Sequence, residues 1–113
     1  MKLRFSNLAK EDLKDIGDYI ARDNHRRAKS FIEDIQRQCQ RVSEKPTLYP
    51  FRKELGEQMR SCSFGRYVIF FSTNEASNQL LIHRILHSAM DIGKHLPAGS
   101  TPNMLSQNIA SYL

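Results

Sequence analysis

Apolar residues crowd most tightly at Tyr67 to Phe71, where Tyr67, Val68, Ile69, Phe70 and Phe71 run without interruption. Five aromatic and β-branched residues in a row have the length and composition of a strand covered on both faces. The run Thr73 to Asn78 is rich in residues that satisfy their own backbone in turns, so it predicts a hairpin. Gln79 to Leu86 returns as the next strand. Alternation puts Leu80, Ile82, Arg84 and Leu86 on one face, and Leu81, His83, Ile85 and His87 on the other. Each face then mixes apolar and ionisable groups. A cation inside an apolar strand costs free energy unless it is paired or reaches a polar surface, which singles out Arg84.

The rest of the pattern builds around this hairpin. Met1, Leu3 and Phe5 alternate with Lys2 and Arg4 and predict a short strand with one buried face. Ser6 or Asn7 then caps a helix whose apolar stripe is Ala9, Leu13, Ile16 and Ile20. Glu11, Asp12, Asp15 and Asp18 read as its solvated face. The break Asp23-Asn24-His25 separates it from a second stripe, Ala28, Phe31, Ile32, Ile35, Cys39 and Val42, so two helices form an antiparallel hairpin. Lys45-Pro46 ends the second helix, because the residue before proline avoids the helical region. Thr47 to Gln58 is a connecting loop, Met59 to Phe64 a strand, and Gly65-Arg66 its tight turn. The expected architecture is α+β in the order β-α-α-β-β-β: an antiparallel sheet, chiefly a meander, with a helical hairpin packed on one face.

After the last strand, Ser88 to Ile92 can begin a helical turn, and Gly93 to Ser100 is punctuated by Gly, Pro and Ser. Thr101-Pro102 offers a helix start, with Leu105, Ile109 and Tyr112 at helical spacing. No charged residue occurs from Ala98 to Leu113, so this extension is expected to pack on its own domain, a second copy or a partner. The domain proper is expected at residues 1–97, and 98–113 form the extension.

At 113 residues the chain reads as one domain, with no apolar run long enough to span a membrane and no signal-peptide core at its start. A cytoplasmic location is expected. Cys39 and Cys62 lack metal-ligand spacing and read as packed thiols. Seventeen Lys and Arg against twelve Asp and Glu give a net charge of +5, which suits an anionic partner. The basic residues are spread along the chain, which argues against a disordered nucleic-acid arm.

The order of elements, with Tyr67-Val68-Ile69-Phe70-Phe71 and the stretch Ile82 to Asp91, resembles the toxins of the RelE and ParE superfamily. The likeness is to the ParE-like branch, whose final Arg-(Ile/Val)-Leu-His-x-x-x-Asp stretch corresponds here to Arg84, Ile85, Leu86, His87 and Asp91. It covers about Met1 to Leu96. The resemblance implies a toxin of a type II toxin-antitoxin system, held by a small ParD-like antitoxin of ribbon-helix-helix type. It further implies inhibition of DNA gyrase by direct binding for the ParE-like branch, and ribosome-dependent mRNA cleavage for the RelE-like branch. Fold alone does not choose between them.

Cleaving RNA through its 2′-OH needs a base, an acid and groups that neutralise the phosphorane. The residues that could serve are His87 for proton transfer and Arg84 and Arg66 for the phosphate. That set is thin, so a gyrase-binding toxin is expected rather than an enzyme; the alternatives are a RelE-like endoribonuclease or a degraded toxin that only binds antitoxin. His87 has a structural reading as well, bonded to Asp91 or a backbone carbonyl, and Arg84 can pair with Asp91. His83 reads as a core or edge histidine rather than a metal ligand. Arg22, Arg26, Arg27 and Lys29 cluster at the hairpin tip with no exposed aromatic stacking set, and form either a solvated tip or a docking surface. Partner-binding candidates are Arg22, Arg26, Arg27, Arg60 and Arg84. No cofactor or metal is expected, and the oligomeric state is open between a homodimer and a toxin-antitoxin hetero-oligomer.

Overall fold

The computed structural model describes residues 1–90. The readings made on Asp91 and on the 98–113 extension lie outside them. In chain order the elements are β1 (Lys2–Phe5), α1 (Asn7–Ala21), α2 (His25–Glu44), two short 3-10 turns (Pro46–Leu48 and Lys53–Leu55), β2 (Arg60–Phe64), β3 (Tyr67–Asn74) and β4 (Gln79–His87). The helices start where the sequence offers an acceptor. Ser6 Oγ takes the Ala9 N–H and Asn24 Oδ1 takes the Arg27 N–H, filling donors that a first turn leaves free. Gly65 holds a φ of 58° at the β2-β3 turn, a left-handed value that only glycine adopts at no steric cost.

The four strands lie in the order β1-β4-β3-β2. The meander β2-β3-β4 is antiparallel, but β1 joins β4 in parallel, from Lys2 opposite Gln79 to Phe5 opposite Ile82. The expected antiparallel sheet is therefore corrected to a mixed one. The reason is topological. The helical hairpin returns the chain to the end where β1 began, as the bond from the Met1 amino group to the Ser43 carbonyl shows. β2 then runs in the direction of β1, β3 against it and β4 with it, so β1 beside β4 must be parallel.

The helices cover one face. Ala9, Ile16, Phe31, Ile35, Cys39 and Val42 meet Cys62, Ile69, Phe71, Leu80, Ile82 and Ile85 in one core. On the opposite face Leu55 and Met59, from the loop before β2, fold over Phe70 and Leu86. Ile69, Phe70 and Phe71 are thus sealed from both sides and fully buried, as the uninterrupted apolar run requires. Both cysteines are buried free thiols.

Strict alternation along β4 does not survive. Phe70 pairs with Arg84 and Phe71 with Ile82, leaving His83 as the extra residue of a β-bulge. Ile82 and Ile85 consequently both belong to the helix-side core, whereas Leu86 joins the opposite cluster. The assignment of Ile82 and Leu86 to one face, and of Ile85 to the other, is corrected by that one inserted residue.

The bulge also changes the reading of α1. β1 reaches along β4 only to Ile82, and α1 takes over the exposed strand edge beyond it. Ser6 donates its N–H to the Ile82 carbonyl (2.9 Å) and its hydroxyl to the His83 carbonyl (2.7 Å), and the Asp12 carboxylate accepts the Ile85 N–H at 3.0 Å. Asp12 is buried, so it leaves the solvated acidic face on which Glu11, Asp15 and Asp18 do remain exposed.

Candidate functional site

One end of the molecule gathers the tip of the helical hairpin, the β2-β3 turn and the last residues of β4. A cleft of about 580 Å³ opens there, with Tyr19 and Ile20 from α1, Arg27 and Phe31 from α2, the turn residues Gly65 and Arg66, and Tyr67 and His87 from the paired strand ends. A depression of about 260 Å³ adjoins it, shares Tyr19, Tyr67 and His87, and reaches Asp15, Arg84 and Met90.

Ring contacts set the walls. Tyr67 lies 5.6 Å from the Phe31 ring and 5.4 Å, edge to face, from the His87 ring. Phe31 is itself propped edge-on by Phe64 at 5.5 Å. Two arginines rest on this aromatic set, Arg27 at 5.0 Å over Phe31 and Arg22 at 5.8 Å over Tyr19. Stacking holds a guanidinium in place while leaving its N–H edges free for a ligand. Burial pushes the Tyr67 hydroxyl above its ordinary value, so it is a phenol and a hydrogen-bond donor at neutral pH.

The candidates of the sequence reading part company here. Arg66 and His87 both line the cleft. Arg84 lines the adjoining depression beside His87 and not this cleft. Its Nε and Nη2 donate to the two Asp12 carboxylate oxygens, each at 2.8 Å, in a pair that is only 12% and 10% exposed. His87 is held by a bond the sequence did not suggest, with the Ala89 N–H donating to Nδ1 at 3.0 Å. That bond occupies the Nδ1 lone pair and leaves the proton of the neutral ring on Nε2. Neither nitrogen of the neutral ring then offers a free lone pair to abstract a proton in the cleft.

Of the partner-binding candidates, Arg22, Arg26 and Arg27 stand exposed at the hairpin tip. Arg60 lies elsewhere, on edge strand β2, where it stacks on Phe51 and binds the Tyr49 carbonyl. It holds the loop before β2 in place. His83 is buried, with Nε2 2.7 Å from the Ser72 hydroxyl and, among the described residues, no partner on Nδ1, and burial lowers its pKa to about 4.

The sequence offered no exposed aromatic stacking set beside the basic tip, and the structure exposes a single ring there, Phe31 being buried beneath Arg27. Tyr19 is 65% exposed. It sits off the apolar stripe of α1, three residues before Arg22, and Phe31 lies four after Arg27, spacings that put each arginine over a ring of its own helix. Those spacings were the available signal.

The family model of the ParE toxin of type II toxin-antitoxin systems, parDE, matches residues 3–92, from the first strand through the site just described. The chain belongs to the ParE toxin family. The toxin's fold is similar to a solved chain from the chromosomal ParDE TA system of P. aeruginosa, with a TM-score of 0.66 and 20% identity over 77% of this chain and 95% of that one. At that identity the likeness speaks for the fold. No curated protein matches the sequence. Among the described residues of the toxin, no helix is long and apolar enough to cross a membrane, and no three His, Cys, Asp or Glu residues group as metal ligands.

Proposed function

We propose that this ParE-family toxin acts by binding DNA gyrase and inhibiting it, and that a cognate ParD-like antitoxin of ribbon-helix-helix type neutralises it in the cytoplasm. The observation that supports a binder over a nuclease is the state of the two most reactive candidates. The Nδ1 lone pair of His87 is taken by the Ala89 N–H, and the Arg84 guanidinium by Asp12. Phosphoryl transfer in RNA needs a mobile proton and several unspent cations around one phosphate. Arg66 and Arg27 remain in the cleft, which suffices for recognising an anion, whereas the Tyr67 phenol there has its pKa raised by burial and is a poor base.

Arg22, Arg26 and Arg27 are the surface we assign to an acidic partner, since exposed charge steers association more than it adds affinity. The antitoxin segment is expected along the helical hairpin and a sheet edge, where a strand leaves backbone groups free for a partner.

The deciding experiment adds purified toxin to gyrase with relaxed plasmid and, separately, to translating ribosomes with a defined mRNA. Lost supercoiling that the antitoxin restores, with mRNA intact throughout, is the expected result. Cut mRNA with normal supercoiling would establish the RelE-like reading. No effect in either, together with tight antitoxin binding, would mark a toxin that keeps only its partner surface.

A further inference from the structure

We propose that the cleft between the hairpin tip and the β2-β3 turn binds a nucleotide unit, either a free nucleotide or one residue of a single strand, without cutting it. The lining fits both halves of that ligand. Among the described residues that line the cleft, the formal charges are those of Arg27 and Arg66, both positive, as a phosphate requires. Arg27 is already stacked on Phe31, so little side-chain freedom is lost when it takes an anion. A flat apolar wall stands beside them, made by Tyr67 locked between Phe31 and His87, and by the exposed ring of Tyr19. Rings next to cations are the combination that holds a base by its face and its phosphate by charge. A volume of about 580 Å³ lies in the range of small-ligand clefts.

The surroundings also orient the ligand. Asp15 is exposed in the adjoining depression, on the α1 side of Tyr19 and Tyr67. It repels a phosphate from that side, which directs the phosphate to Arg27 and Arg66 and the base toward the tyrosines. The Tyr67 phenol and the Nε2–H of His87 are donors suited to a base carbonyl or a ribose oxygen. The same arrangement of His87 explains why bound nucleic acid stays whole.

The test is direct binding to the full chain, followed by fluorescence anisotropy with labelled oligo-dT and oligo-U of eight residues, and by calorimetry with AMP and UMP. Inorganic pyrophosphate and a poly-glutamate peptide serve as plain anions. The expected result is binding of oligonucleotides weakened roughly tenfold by Arg27→Ala or Arg66→Ala, with Arg26→Ala, exposed at the tip outside the cleft, changing it less than about twofold. Both cleft positions are exposed arginines, so the variants keep the fold. Shifts of the His87 and Tyr67 ring protons on binding would locate the base. If AMP or UMP binds with the same dependence, the natural ligand is a free nucleotide; if only the oligonucleotides do, it is a strand. Equal losses from all three alanine variants, poly-glutamate or pyrophosphate binding as tightly as the oligonucleotides, or no binding at all would overturn the proposal.

Discussion

Asp12 on α1 and Arg84 on β4, 72 positions apart, form a two-pronged ion pair with both contacts at 2.8 Å, and Asp12 also accepts the Ile85 N–H. One carboxylate thereby joins helix to strand and satisfies an edge that β1 is too short to cover. Removing Arg84 takes the ion-pair partner from the buried Asp12 carboxylate, and removing Asp12 takes two contacts from a nearly buried guanidinium; breaking such a pair costs about 3–5 kcal/mol. Asp12→Ala and Arg84→Ala should each lower unfolding free energy by about that amount in urea titrations. The double variant Asp12→Leu with Arg84→Met should recover part of the loss, short of full recovery because the Ile85 N–H stays unpaired. A loss below about 1 kcal/mol for Asp12→Ala would mean the pair is dispensable.

His83 gives the fold an acid sensitivity. Its folded-state pKa is about 4 because burial disfavours the charged ring, against an ordinary 6.5. The unfolded chain therefore binds the proton first as pH falls, and the stabilisation, complete above pH 6.5, drains away between 6.5 and 4. The span corresponds to about 3 kcal/mol. Thermal unfolding across that window should show the slope, and His83→Gln should flatten it; an unchanged slope would assign the acid sensitivity to other groups.

Cys39 is completely buried between α2 and the sheet, and burial pushes its thiol up to about 12. The thiolate is the reactive form, so Cys39 should resist alkylation at pH 8 until the domain opens. Cys62 is also shifted upward by burial, although the Gln38 side-chain N–H donates to its sulfur at 3.0 Å and partly offsets this. Mass-resolved iodoacetamide labelling should give two slow thiols whose rates rise together with denaturant. Fast labelling of Cys39 in the native protein would contradict the packing of α2.

The apolar stripes, the caps and the hairpins were legible in the sequence because each is set by neighbours along the chain. Ser6, Asn24, Pro46 and the run from Tyr67 to Phe71 all act where local chemistry points. The parallel docking of β1 was not legible, since it depends on where a twenty-residue α2 delivers the chain. Nor was the bulge at His83, because one extra residue leaves no trace in an apolar pattern until the opposing strand is known. That residue decided the site. It shifted the faces of β4, and Arg84 is held by Asp12, an acid that helical spacing had assigned to solvent. Arg66 and His87 did come to one cleft, because Arg66 sits in the turn just before Tyr67, which lies opposite His87 in the paired strands.

The basic tip should act on association rate rather than on stability. Arg22 and Arg26 are exposed, and Arg22 contacts only the exposed Tyr19 ring within its own helix among the ring contacts found there. An exposed cation-π contact is worth about 0.5–1 kcal/mol, so Arg22→Glu with Arg26→Glu should leave unfolding nearly unchanged. If an acidic antitoxin approaches this end, reversing two charges removes long-range attraction that is strong at low salt and screened within a Debye length of about 8 Å at physiological ionic strength. Stopped-flow association should then slow roughly tenfold at low salt and only slightly at high salt, with dissociation little affected. His87→Ala offers the complementary comparison. It removes a ring from the cleft wall and no essential proton, so growth arrest by the toxin should persist, whereas a nuclease relying on His87 would lose activity by about 10²–10⁴-fold. Slowed association with persistent toxicity would tie the tip to recognition and the cleft to something other than cleavage; unchanged association would place the acidic partner on another face.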